Sequence, residues 1–300
     1  MNMLKYSALV FLGACSYGTL STVVKLGLAD GFTIQQVLGG QYLFGWGFLL
    51  ILMLLFSRVR IGWRHIKHLM LAGIPMISTS ILYGHAVEQL PASLAVLLLF
   101  QFTWIGVILE AVMQRKFPSK VKLISLAVLI IGTLLAGGVL ENTSGGWTLS
   151  GVIFGLLSAV SFALYIYLSG NIATEVPVLS RTFVMVSSAF VLSIIAFTPS
   201  ILFDGSIANG LWKYGIPLGL LGIIIPVIFF AIAIPKVGPG LGTILGAAEL
   251  PAAVIVSVIV LHEHVSPLQW FGIVVVLVGI AIPQMASFRS KSHLHPSELG

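Results

Sequence analysis

One carboxylate, Glu249, stands near the middle of an apolar run long enough to cross a bilayer, and it is the residue of this sequence best placed to do chemistry. An ionised carboxylate in hydrocarbon costs roughly 3 kcal/mol on insertion scales and more in simulations. Glu249 must therefore face a bundle interior or a wet cavity, and there either carry a proton or meet a cation. Gly238, Gly242 and Gly246 precede it at helical spacing and Ala253 follows one turn later, a smooth face that lets neighbouring backbones approach. Pro251 removes a backbone donor and frees the carbonyl of Ala247, which loosens the helix beside the carboxylate. The arrangement suits a proton-coupling carboxyl or the partner of a cationic group. The competing reading is a hydrogen-bonded packing glutamate.

Other apolar runs carry a few polar and aromatic side chains that would complete a site. The first has a stripe at Gly18, Ser21, Thr22 and Lys25, with Tyr17 one position off; the second has Gln41, Tyr42 and Trp46. The third adds Ser78, Ser80, Tyr83 and His85, and the fourth adds Gln101 and Trp104. Aromatic walls with few polar groups are the usual make-up of a small-molecule pocket. The predicted binding residues are Tyr17, Ser21, Gln41, Tyr42, Tyr83, His85, Gln101, Trp104 and Glu249. Each aromatic also has ordinary bundle packing as its plainer role, and Lys25, near a span end, can instead snorkel to the interface.

Several chemistries lack their residues. His262-Glu263-His264 places its histidines two apart, which does not put them on one helical face, so no metal site is expected. A phosphate-cradling glycine loop ending in Lys-Ser/Thr is absent, which leaves ATP-driven work unsupported, and no cofactor is implied. The two aspartates, Asp30 and Asp204, fall in different connectors, too few for magnesium-dependent prenyl transfer. Ser78 and His85 lie two turns apart, so a nucleophile and base in mutual reach are missing and a membrane enzyme is disfavoured. Basic residues sit in connectors rather than on one face with stacking aromatics, which argues against a nucleic-acid partner despite a charge of +6. The single cysteine, Cys15, reads as a small packing residue.

What must position these groups is a bilayer-embedded helix bundle. Hydrophobic residues make up 58% of the chain and charged ones 8%, the reverse of what a water-soluble surface needs. Spans of about 20 apolar residues are expected at 6–27, 34–56, 68–89, 92–113, 121–136, 149–170, 178–198, 214–234, 240–261 and 268–285. Placing both termini in the cytoplasm of a cell (inner or plasma) membrane puts nearly all lysines and arginines, Arg58, Lys67, Arg115, Arg181 and Lys236 among them, on the positive-inside face. Leu126–Leu135 resembles Ile273–Ile282 at an offset of about 147 residues, and Pro91 stands in a like relation to Pro239. The expected fold is thus all-α and integral to the membrane, with ten transmembrane helices in two inverted five-helix repeats. Residues 1–140 form the first repeat, 141–288 the second, and 289–300 a cytoplasmic tail. Five helices per repeat is an odd number, so the second copy enters from the opposite face, and such halves can expose a central site to either side in turn.

These pieces together resemble the drug/metabolite transporter superfamily, in particular its EamA-type ten-helix members. The resemblance rests on Gly13 through Gly18 with Lys25, Leu90 through Ala95, Glu249-Leu250-Pro251, Leu261 through Val265, and Phe271-Gly272 through Val278-Gly279. The family commonly has Glu directly before Pro; here Leu250 intervenes and rotates the carboxylate by about 100°. The resemblance implies a secondary transporter of a small organic metabolite, often an exporter and usually independent of ATP, with proton coupling at Glu249 as a further expectation; the alternatives are a polytopic membrane enzyme and a non-transporting membrane sensor or assembly protein.

Overall fold

A computed structural model describes residues 2–57, 61–90, 92–138, 148–197 and 199–292. Pro91, Arg58 and the tail beyond residue 292 lie outside them, as does the expected repeat boundary at residue 140. Nine helices among the described residues are long and apolar enough to span a bilayer, and Lys120–Ala136, at 17 residues, supplies the tenth pass between its neighbours. In chain order they are helix 1 (Met3–Ala29), helix 2 (Ile34–Phe56), helix 3 (Trp63–Gln89), helix 4 (Leu94–Gln114) and helix 5 (Lys120–Ala136). Helix 6 (Leu149–Asn171), helix 7 (Val178–Phe197), helix 8 (Ile207–Val237), helix 9 (Pro239–Leu261) and helix 10 (Pro267–Ala286) complete the bundle. Large apolar side chains such as Leu54, Val112, Ile195 and Ile259 stay exposed on its outside, as a lipid-facing surface requires. Trp63, Trp212 and Trp270 stand partly exposed near span ends, where indoles favour the interface.

Successive helices alternate direction, which defines a terminal face, where helix 1 begins and helix 10 ends, and a far face opposite. Packing follows a rule of exchange between helix n and helix n + 5. Helices 5 and 10, 2 and 7, and 4 and 9 pack on one another, while helix 3 on helix 6 matches helix 8 on helix 1. Helix 8 breaks the rule, because it also packs on helices 6 and 7, whereas helix 3 makes no comparable packing with helices 1 and 2. Helix 8 is therefore held against helices 6 and 7 toward the terminal face, whereas helix 3 stands apart from helices 1 and 2 toward the far one.

Three spans are interrupted at mid-depth, each for a legible local reason. In helix 9 the turn at Ala247-Ala248 separates two helical segments, and the Ala247 carbonyl that Pro251 cannot bond accepts from the Leu250 N–H at 3.2 Å. In helix 4 the turn at Phe100-Gln101 has the Gln101 N–H bonded to Leu98, and the Gln101 side-chain amide takes the Leu97 carbonyl so released, at 2.8 Å. In helix 1 the Thr19 hydroxyl and N–H both donate to the Ser16 carbonyl, at 2.7 and 3.2 Å.

Candidate functional site

The interruptions of helices 1 and 9 meet directly. Gly18 lies so close to helix 9 that a Cβ there would overlap the Glu249 carbonyl and come within 2.7 Å of the Ala253 nitrogen. Cys15 Sγ approaches the Ala248 carbonyl at 3.9 Å, and the Ser16 hydroxyl donates to Leu221 in helix 8 at 2.6 Å. Leu220–Ile224 of helix 8 is a π-helical turn, a wider winding often found at functional sites, and its Gly222 leaves room for the Gln41 amide and Leu20.

Beside this junction lies a cavity of ≈ 470 Å3, within the range of small-molecule sites. Its deep part is walled by Tyr17, Tyr42, Phe162 and Tyr165, and Glu249 opens onto it. Toward the far face it is bounded by Lys25, Val87, Ser257, Glu263 and Gln269. Toward the terminal face it ends on packed aromatics, with Tyr17 edge-on to Phe162 and Phe230 at 5.8 Å each and Phe102 edge-on to Phe162 at 4.7 Å. The cavity so described opens to the far face and is sealed from the terminal one.

Of the residues predicted from sequence, Tyr17, Ser21, Gln41, Tyr42, Tyr83 and Glu249 line this cavity. The Tyr42 hydroxyl pairs with Ser80 at 3.0 Å and reaches the Met76 carbonyl at 3.4 Å, tying helix 2 to helix 3. Glu249 carries no ion pair among the described residues. Three predicted residues lie outside the lining. Gln101 and Trp104 are engaged with one another, the indole Nε1 donating to Gln101 Oε1 at 2.7 Å, and they brace the helix 4 interruption. His85 sits near the far end of helix 3, exposed, 3.2 Å from Glu88 and tilted against Phe154.

Sequence reasoning missed Tyr165, Met76, Phe100 and Phe162 in the lining, because an aromatic or aliphatic residue in an apolar span does not declare which way it faces. From its place one turn from the end of its span, beside Arg115 and Lys116, Glu110 would be expected at a rim. The structure corrects this: Glu110 is buried against the glycines that open helix 9 and pairs with Lys122 of helix 5. Likewise Arg181, counted with the charges of the connectors, is 1% exposed within helix 7. Lys25 pairs with Glu263 at 2.6 Å across the cavity mouth, with the two side chains 50% and 40% exposed. Pairs that open to water contribute about 0–1 kcal/mol, so Lys25→Gln is expected to leave the melting temperature in detergent nearly unchanged. A loss of several degrees would mean that the pair holds helix 1 to the connector between helices 9 and 10. No group of His, Cys, Asp or Glu that could hold a metal ion occurs among the described residues.

Residues 149–283 match the model of the EamA-like transporter family. The comparison with curated proteins gave no match. A solved crystal structure of another protein shares the fold, with a TM-score of 0.75 at 18% sequence identity, over 96% of this chain and 99% of that one. The second half of this chain thus resembles the EamA-like transporter family, within a membrane bundle of ten passes around a central cavity.

Proposed function

We propose that this protein is a transporter that moves a small organic metabolite by alternating access between two inverted five-helix repeats, without ATP, with export the direction that the family resemblance favours. One observation carries the reading: the packing of helix 8 on helices 6 and 7 lacks its counterpart between helix 3 and helices 1 and 2. Two halves related by exchange of helix n with helix n + 5 can trade these arrangements, which would close the far face and open the terminal one around a site that stays in place. Matching interruptions in helices 4 and 9 support the same relation. Glu249 serves in this reading as the proton-coupling carboxyl, and the cavity residues Tyr17, Ser21, Gln41, Tyr42 and Tyr83 bind substrate.

The test is a thermal-shift screen of the purified protein against metabolites, followed by counterflow of each hit in liposomes. A ligand at 100 times its Kd raises stability by about 2.7 kcal/mol, a shift easily read. Hits that stabilise and exchange across the vesicle support the reading; binding with no flux in either direction overturns it.

Orientation follows the basic residues, with the terminal face in the cytoplasm. In a Cys15→Ser background, Lys67→Cys and Lys236→Cys should resist an impermeant thiol reagent applied outside whole cells, and His264→Cys should react. Labelling at Lys67→Cys from outside would invert the assignment.

A further inference from the structure

Arg181 stands at the closed end of the bundle with more hydrogen-bonding capacity than its surroundings use. It is 1% exposed, and its Nη2 donates to the Ala231 carbonyl of helix 8. Its Nε and Nη1 are buried without a hydrogen-bond partner among the described residues. The acidic residue whose charge reaches it is Glu175, and that carboxylate is already held by His65 at 2.9 Å. Arginine keeps its charge in proteins and presents a fork that fits carboxylates, so unused donors in a sealed, apolar setting are costly to maintain.

Two further facts connect this group to the cavity. Tyr165 lines the cavity floor, lies within electrostatic reach of Arg181, and its own hydroxyl is buried without a well-formed hydrogen bond. A cavity-lining tyrosine and the guanidinium thus share one buried neighbourhood, each with unused hydrogen-bonding capacity. In addition, Arg181 lies on helix 7 and bonds helix 8, and the packing of helix 8 on helices 6 and 7 has no counterpart in the other half of the molecule. Parting helix 8 from helices 6 and 7 would release the Ala231 contact and open the guanidinium to the site.

We propose that Arg181 is an anion-binding residue of the substrate site, hidden in the state described here and uncovered when the terminal face opens, where it receives a carboxylate-class group of the ligand. The inference rests on the alternating-access reading above. It gives the site a cation at the terminal side and a carboxyl, Glu249, at the level of the cavity.

The test measures the electrostatic field at the opened site. In a Cys15→Ser background, Ala231→Cys is placed next to the guanidinium, and the protein is held in nanodiscs so that both faces are accessible. Modification rates are compared for a small neutral methanethiosulfonate, an anionic sulfonatoethyl one and a cationic trimethylammonioethyl one. The neutral reagent should react, and the anion should react faster than the cation by about tenfold or more, a modest demand on a unit charge at close range. Arg181→Lys should keep that preference, and Arg181→Gln should reduce it to near unity. Failure of the neutral reagent would show that the terminal side does not open at all, which removes alternating access together with this proposal. Neutral reaction without anion preference, or a preference that survives Arg181→Gln, overturns the anion site alone. Should Arg181→Gln not fold, the parent and lysine rates still decide.

Discussion

Glu249→Gln is expected to abolish concentrative transport driven by a pH gradient while leaving counterflow exchange partly intact. Glutamine keeps the shape of the side chain and fixes it in the neutral form, so a carrier that needs the carboxyl to take up and release a proton becomes uncoupled but still changes state. The structure supplies the reasons for a large effect. Glu249 opens onto the cavity, beside the interruption of helix 9, and has no ion pair among the described residues. Its charge must therefore be matched by a proton, by water or by the substrate, according to which face is open. If the carboxylate instead binds a cationic substrate group directly, affinity and exchange collapse together, since removing one partner of a buried charge pair costs about 2–5 kcal/mol. Counterflow with and without an imposed pH gradient separates the two. Accumulation equal to the parent from mildly acidic to mildly alkaline pH would make Glu249 a packing residue.

Reading this chain from its sequence works where the bilayer dictates the pattern. All ten passes are legible because each must satisfy its backbone within one helix across a fixed thickness. The interruption of helix 9 is legible too, because Pro251 cannot bond the Ala247 carbonyl. The matching interruption in helix 4 has neither proline nor glycine at the turn; it is built by the Gln101 side chain bonding Leu97, a use of an amide that looks in sequence like a ligand-binding residue. Arg181 escaped for a different reason. Counting charge by connector assumes that a basic residue near a span end reaches water, and here the side chain turns into the bundle. The glycine ladder before Glu249 was also misjudged in detail. Gly242 meets the side chains of Ile234 and Ile166, and Gly246 meets the Phe102 ring, so these glycines admit side chains rather than backbones. Which partner faces a small residue depends on the tertiary register of two helices, and one sequence does not state it.

The close backbone approach lies instead at Gly18, and Gly18→Ala should be among the most damaging methyl additions in the molecule. The new Cβ would overlap the Glu249 carbonyl, stand 2.7 Å from the Ala253 nitrogen and 2.8 Å from the Ala252 Cβ, all of them rigidly placed in helix 9. No flexible side chain can yield, so helix 1 must back away from helix 9 at the depth where both are interrupted. Overpacking of this kind costs about 1–3 kcal/mol, and it displaces Glu249 as well. The expected result is a clearly lowered melting temperature in detergent together with lost transport. Gly84→Ala is the matched control. Gly84 lines the same cavity, but a Cβ there has nothing within 4 Å, so the variant should melt like the parent and alter only how ligands fit. If Gly18→Ala melts and transports like the parent, helices 1 and 9 do not touch as described, and the junction that places Glu249 in the cavity is wrong.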